Sequence, residues 1–462
     1  MVIYFKRDFI VRILLLNLPH PYRVQRRYRC SYRAPNFLFP PLELLSIGGT
    51  LRSSNESVRL IDSIAEGWDI VKTALEVRRW SPDVILTMPG FEILAADLAV
   101  LGAIMESAPN SKTALFGYLP SLYPEKLLDA SGTDAVIVGE PENAALRLVK
   151  DIEAGPLNTK IYRDERIKNL DDLPPPSYSL VTLDHYGDFL FPKPFAVLQT
   201  GRGCPFGCTY CVRPYGHKVA YRSAGKVIED VEHLVRNHGI KGLRFEDDTF
   251  PVDPDRAAAI SRGIRPFNIA WSCLSRPDTM SAEIAEELYS GGCRRVYLGI
   301  ESGSDRILEL LGRGHSARQG LDAALAIKNA GMEVAGFFLV GVPGETGDDL
   351  RAGIELAKEA ALDFVGVSTL VPYPGTPLFE SGDYEVTFEL LPFYSHFADP
   401  EIIEIGKRRE KEFYREYYYR PRYAMSRLGL LVKNPLVILK AAASLSRHLI
   451  RSREAGKHGD LI

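Results

Sequence analysis

Short apolar runs alternate with longer stretches in which apolar residues recur every three or four positions, and the alternation occurs twice along the chain. In the first series, runs at 11–16, 58–61, 84–86, 113–116 and 135–138 read as buried strands. The stretches 42–51, 69–79, 93–106 and 125–130 between them read as amphipathic helices. Strands that alternate with helices build a parallel sheet covered on both faces, a doubly wound α/β domain whose ligands sit beyond the carboxyl ends of the strands. The second series has strands at 195–199, 242–245, 269–273, 295–300, 334–340 and 364–370, with helical patterns at 227–236, 283–289, 318–329 and 348–360. Six βα units, not eight, predict a partly open barrel with its chemistry at the carboxyl ends of the strands. Between the series, Asp171-Asp-Leu-Pro-Pro-Pro-Ser177 cannot continue a helix. The expected organisation is a Rossmann-like domain over 1–155, a linker over 156–193, a (β/α)6 domain over 194–378 and a helical region over 379–462.

Composition narrows the class. The chain has 462 residues, 46% hydrophobic and 25% charged, as an ordinary globular protein does. A formal net charge of −3 gives no global attraction to nucleic acid or anionic membrane. No apolar run is long enough to span a bilayer, and the first residues lack the layout of a signal peptide. Six cysteines in so long a chain do not read as a disulfide framework, so reduced thiols and a cytoplasmic setting are expected.

Three of those cysteines, Cys204, Cys208 and Cys211, fall in one loop directly after the first strand of the second series. Three thiolates can hold a four-iron cluster by three corners and leave one iron open to a small molecule. A zinc site completed by His217 is the competing metal reading. Cys30, Cys273 and Cys293 read as small core residues.

The later strand ends carry short polar segments: Phe245-Glu-Asp-Asp-Thr-Phe250, Gly299-Ile-Glu-Ser-Gly303 followed by Gly312-Arg-Gly314, Gly341-Val-Pro-Gly-Glu-Thr346, and Tyr373-Pro-Gly-Thr-Pro377. Each alone reads as a turn. In this order after a C-x3-C-x2-C loop they resemble the radical S-adenosylmethionine (SAM) domain across residues 195–377. The resemblance implies a [4Fe-4S] cluster on Cys204, Cys208 and Cys211, with Tyr210 bordering the SAM adenine. It places Glu301 at the ribose, Glu246, Asp247 and Asp248 at the amino group, Arg276 at the carboxylate, and Gly341 on the same rim.

The first series resembles the cobalamin-binding domain that precedes many such enzymes, through Leu14-Leu-Leu-Asn-Leu-Pro19, Pro40-Pro-Leu-Glu-Leu-Leu-Ser46, Ser81-Pro-Asp-Val84 and Val136-Ile-Val-Gly-Glu-Pro-Glu142. The resemblance implies a corrin laid on small residues and backbone at Ser46, Gly90, Gly117, Gly139 and Glu140. No D-x-H-x-x-G segment is present to offer cobalt a histidine, and Phe116-Gly-Tyr-Leu sets Tyr118 beside the expected corrin.

The implied activity is cleavage of SAM to methionine and a 5′-deoxyadenosyl radical, followed by cobalamin-dependent methylation of an unactivated carbon. Two other outcomes stay open: cyclisation or rearrangement without methyl transfer, and a non-catalytic iron–sulfur module. The expected partners are a small-molecule or lipid-like substrate and an electron donor such as a flavodoxin or ferredoxin; nucleic acid is not expected. The arginine- and tyrosine-rich stretch 413–423 reads as a packing helix, and the basic amphipathic stretch from 424 to about 453 suits peripheral membrane contact.

Overall fold

A computed structural model of the chain describes residues 10–423 apart from 29, 34–36, 55, 189, 383–399 and 422. The amphipathic stretch beyond 424 lies outside the described residues, as does part of the expected helical region. The described chain divides into two units that meet at Tyr186 and Gly187.

The main sheet of the first unit has six strands: β1 Arg12–Asn17, β2 Ser57–Asp62, β3 Val84–Thr87, β4 Lys112–Leu115, β5 Ala135–Val138 and β6 Ile161–Arg163. They pair in the order β2-β1-β3-β4-β5-β6, all parallel. Residues 13–16 and 84–86 are fully buried because helices cover both faces, hence their unbroken apolar runs. The strand order reverses between β1 and β3, and this switch opens the crevice of a doubly wound sheet.

The expected linker belongs largely to this unit. Ile161–Arg163 adds a sixth strand to the five read from the sequence; at three residues it is too short to carry a periodicity. Downstream, Ser177 N–H bonds Leu45 C=O at 2.9 Å, and Tyr186 hydroxyl donates to the buried Asp62 at 2.8 Å. The prolines end helices here, but the segment they stiffen is packed.

The second unit carries β7 Phe195–Leu198, β8 Gly242–Phe245, β9 Ala270–Ser275, β10 Cys293–Glu301, β11 Glu333–Val340 and β12 Phe364–Thr369. These pair in sequence order, all parallel, as a partial (β/α)6 barrel does. Local chemistry sets the helices between them. Ser223 accepts from Lys226 N–H to start helix Ala224–His238, whose Val227, Val231 and Leu234 are buried at helical spacing, and Gly239 ends it in the left-handed conformation. Thr346 and Asp349 form a reciprocal capping box at helix Gly347–Glu359.

Helix Pro400–Tyr418 runs along β12, the open edge of the sheet. Tyr414 hydroxyl accepts Val367 N–H at 2.9 Å and donates to Val367 C=O at 3.3 Å. Tyr418 does the same at Val365, at 2.9 and 3.2 Å. The aromatic stretch therefore seals a strand edge with hydroxyls, the packing role expected for it. Among the described residues, no helix is long and apolar enough to cross a membrane.

Two outcomes are expected. Replacing Tyr414 and Tyr418 by Phe strands buried strand groups and costs about 1–3 kcal/mol per site, seen as a lower urea midpoint. Asp349 concerns pH: burial pushes its carboxyl up, but bonds from Ser304, Thr346 and Arg306 together hold it below the usual carboxylate range. Its stabilisation is then present above the unfolded pKa of about 4 and lost as pH falls below it. Asp349→Asn should lower the melting temperature at pH 7, with a gap that narrows progressively as pH falls below about 4. A gap independent of pH would refute this account.

Candidate active site

The cysteine loop begins at the carboxyl end of β7 and has little regular structure of its own. Distant segments hold it. Thr209 N–H bonds Leu311 C=O at 3.0 Å, Leu378 N–H bonds Thr209 C=O at 2.9 Å, and Cys204 N–H bonds Gly216 C=O at 3.2 Å. Arg213 ties Phe206 and Cys208 carbonyls together from within the loop, at 2.9 and 3.2 Å. Gly312, at φ +64°, lies beneath the loop: a Cβ there would stand 2.9 Å from Gly207 C=O.

Cys204, Cys208 and Cys211 are free thiols. Among the described residues, no three His, Cys, Asp or Glu side chains converge on one metal ion. Burial pushes the Cys204 thiol up, so its deprotonation is coupled to iron binding.

Two arginines reach Cys208. Arg276 Nη1 lies 3.1 Å from its sulfur and Arg313 Nη1 3.3 Å. Arg276 holds Asp278 through Nε at 2.9 Å and Nη2 at 2.7 Å, also bonds Arg313 C=O, and sits 3.7 Å over the Phe206 ring. Its fork, which the resemblance gives to the SAM carboxylate, is engaged by Asp278. Of its five N–H groups at most one remains for a ligand.

Arg313 was not singled out from the sequence; the signal was an arginine between two turn glycines. It bonds Tyr210 hydroxyl at 3.4 Å, Gly299 C=O, and His315 Nε2 at 3.2 Å. Burial and Arg313 itself push His315 down to about 4, so the imidazole is neutral at pH 7 and can accept that bond. Glu301 lies 3.9 Å from Arg313, at φ +68°, a strained backbone for a side-chain-bearing residue. Burial pushes its carboxyl up, against the pull of Arg313 and a bond from Tyr210. Tyr210 packs on Ile307, Leu311, Val342 and Leu370. Tyr210, Arg276 and Glu301 therefore meet at the loop.

The acidic segment divides. Glu246 pairs with Arg244 at 2.6 Å. Asp247 is buried and accepts Thr200 N–H and Oγ1–H, fixing the entry to the loop; burial pushes it up to about 6. Asp248 is the partly exposed member, close enough to Cys204 to raise its thiol pKa. Gly341 N–H bonds Glu345 at 2.7 Å, shaping its own turn.

In the first unit, a strap after β1, with strands Val24–Arg26 and Ser31–Arg33, joins the loops at the sheet's carboxyl edge. Arg26 is buried, with its fork on Asp97 at 2.8 and 2.6 Å and Nη1 on Asn17 at 2.9 Å. Asp97 also takes Gly90 N–H at 2.7 Å. Tyr28 hydroxyl donates to Gly139 C=O, and Ser121 hydroxyl accepts Gly139 N–H at 2.9 Å and donates to Gly117 C=O at 2.6 Å. Of the expected corrin residues, Ser46 bonds Glu142 at 2.6 Å and Glu140 accepts Ile167 N–H at 3.0 Å. Cβ atoms at Gly90 and Gly117 would meet side chains, whereas at Gly139, φ +80°, one would face open space. Tyr118 is buried against Phe91, ring centroids 6.0 Å apart. There is open space beside Gly139, while the protein's own side chains lie against Gly90 and Gly117. The strap was not read from the sequence, where its few residues carry no periodic signal.

A thiol-lined loop at the carboxyl end of the first strand of a partial barrel defines a radical SAM enzyme, and residues 198–357 match the model of the radical SAM superfamily. The barrel is therefore a radical SAM domain, and a doubly wound α/β domain precedes it along the chain. The chain is 29% identical to an uncharacterized methyltransferase of Pyrococcus horikoshii, over 86% of this chain and 92% of that one. It is 23% identical to the cytidylyl-2-hydroxyethylphosphonate methyltransferase of Streptomyces wedmorensis, over 87% and 90%.

Among solved structures, the cobalamin-dependent SAM radical enzyme OxsB superposes with TM-score 0.67 at 16% identity, over 80% of this chain and 60% of that one. The radical SAM methyltransferase TsrM of Kitasatospora setae superposes with TM-score 0.63 at 18% identity, over 80% and 74%. At these identities the superpositions establish the fold.

Gly312→Ala should force a Cβ against Gly207 C=O and add about 1–2 kcal/mol of left-handed backbone strain. Iron per chain after anaerobic reconstitution should fall below that of the unaltered protein, with the helical circular dichroism signal retained. Full iron content would show that the loop does not depend on this close approach.

Proposed function

We propose that the chain methylates an unactivated carbon of a small, largely apolar substrate, using SAM, a [4Fe-4S] cluster and cobalamin. The observation that carries this reading is the meeting of Cys208, Tyr210, Arg313 and Glu301 at one loop on a strand-end rim. When bound, the cluster supplies the electron that cleaves SAM to methionine and a 5′-deoxyadenosyl radical, and cobalamin supplies a methyl carrier. Cys204, Cys208 and Cys211 hold the cluster. Tyr210 walls the adenine, Glu301 takes the ribose, and Asp248 takes the amino group. Gly139 and its neighbours hold the corrin.

The substrate side is the concave face of the barrel sheet. Tyr297 and Phe337 stack there at 5.9 Å and 19°, and Arg244 lies 4.1 Å over Tyr297. Phe337, on a central strand, is 37% exposed, as an apolar contact for a substrate would be. We place the enzyme in the cytoplasm, reduced by a flavodoxin or ferredoxin.

Anaerobic protein reconstituted with iron, sulfide and cobalamin should retain the corrin and release 5′-deoxyadenosine from SAM. With methyl-labelled SAM and a panel of apolar substrates, label should enter the product. Unlabelled product would favour cyclisation, as in the anaerobic magnesium-protoporphyrin IX monomethyl ester cyclase of Cereibacter sphaeroides, 22% identical over 74% of this chain and 60% of that one. Absence of both corrin retention and 5′-deoxyadenosine release would sink both enzymatic readings.

A further inference from the structure

Two buried guanidiniums aimed at one thiol are more than the loop needs for its shape, because backbone bonds and Arg213 already hold it. Arg276 and Arg313 are only 4% and 5% exposed, so their charges and N–H groups act on Cys208 with little screening by water. Each is oriented from behind: Arg276 by the Asp278 carboxylate, and Arg313 by the neutral His315 ring.

We propose that Arg276 and Arg313 act through Cys208 as positioning residues that raise the reduction potential of the cluster, with Asp278 as the counter-charge that limits the rise. The proposal rests on the cluster reading above and adds a role that reading does not require. Reduction brings one electron onto the cluster from an external one-electron donor of the flavodoxin or ferredoxin class; no bond forms or breaks. The added negative charge spreads onto the sulfurs. N–H donors and cations at a ligand sulfur therefore stabilise the reduced form more than the oxidised one. Hydrogen bonds to sulfur and net charge are among the factors that set the potentials of such clusters.

The experiment is a redox titration of the reconstituted full chain without SAM, followed by electron paramagnetic resonance of the reduced cluster. Arg276→Gln and Arg313→Gln should each shift the midpoint to more negative potential by about tenfold in the reduction equilibrium, ~59 mV for a one-electron couple. Arg276→Lys keeps the charge but loses the planar fork, and should fall between. Asp278→Asn keeps both guanidiniums and removes their counter-charge, so its midpoint should move the opposite way, to higher potential. A purely structural role would lower the number of clusters formed without moving the potential of those that form.

Unchanged midpoints in the glutamine variants, or an unchanged or lower midpoint in Asp278→Asn, would overturn the proposal. If the arginine variants bind no iron, Asp278→Asn decides alone. Absence of a cluster from the unaltered chain, read from iron content and visible absorption, would instead count against the site itself.

Discussion

Thr209 sits between two backbone hydrogen bonds, its N–H on Leu311 and its C=O under Leu378, and the cysteine loop takes its shape from them. A loop of small residues and glycines has no fold of its own. Its thiols are held in place by the segments after β10 and β12. The site is therefore assembled from contacts distant in sequence, each of which carries a loop-closure cost in chain entropy. The same bonds explain how Gly312-Arg-Gly314 comes to lie under the loop. The turn that brings Gly312 against Gly207 also swings Arg313 toward Cys208.

Much of the framework could be read directly from the chain. Strands in a parallel sheet are buried on both faces, so each leaves an unbroken apolar run, and five strands of the first unit and six of the second leave one. Ile161–Arg163 did not, because three residues of an edge strand have no room for a pattern. The triple proline suggested a free linker, yet rigid segments pack well when their carbonyls have somewhere to go; a Cβ on Gly49 would stand 2.3 Å from Pro175 C=O.

The site was legible in its ligands and less so in its surroundings. Cysteine spacing announces a cluster because few other structures need it. Charged residues at strand ends announce only that charge is present. Arg276, Glu246 and Asp247 all lie near the expected rim, but their partners decide what they do: Asp278 and Arg244, each two residues away in sequence, and Thr200, forty-seven residues away. A charge two positions along could have been noticed in the sequence, but only the fold shows that the two side chains turn to each other, and the Thr200 contact leaves no periodicity to find. The same holds for the strap of the first unit, where Arg26 meets Asp97 from seventy-one residues away.

The tyrosines along β12 carry a consequence of measure. Four residues of helix advance about 6 Å, and two residues of strand about 6.6 Å. A helix lying antiparallel to a strand can therefore match alternate strand residues with every fourth helical one, but the two rulers drift apart by roughly half an ångström per match. Tyr414 on Val367 and Tyr418 on Val365 fall within that tolerance. Beyond the helix end at Tyr418 the match stops, and Tyr423 reaches Asp363 C=O at 3.1 Å from outside the helix. A seam of this kind is short by construction, and losing one residue from the helix would turn its hydroxyls away from the strand by more than a quarter of a turn. The barrel's open side thus ends in a vernier, which fixes where the helix sits along the edge.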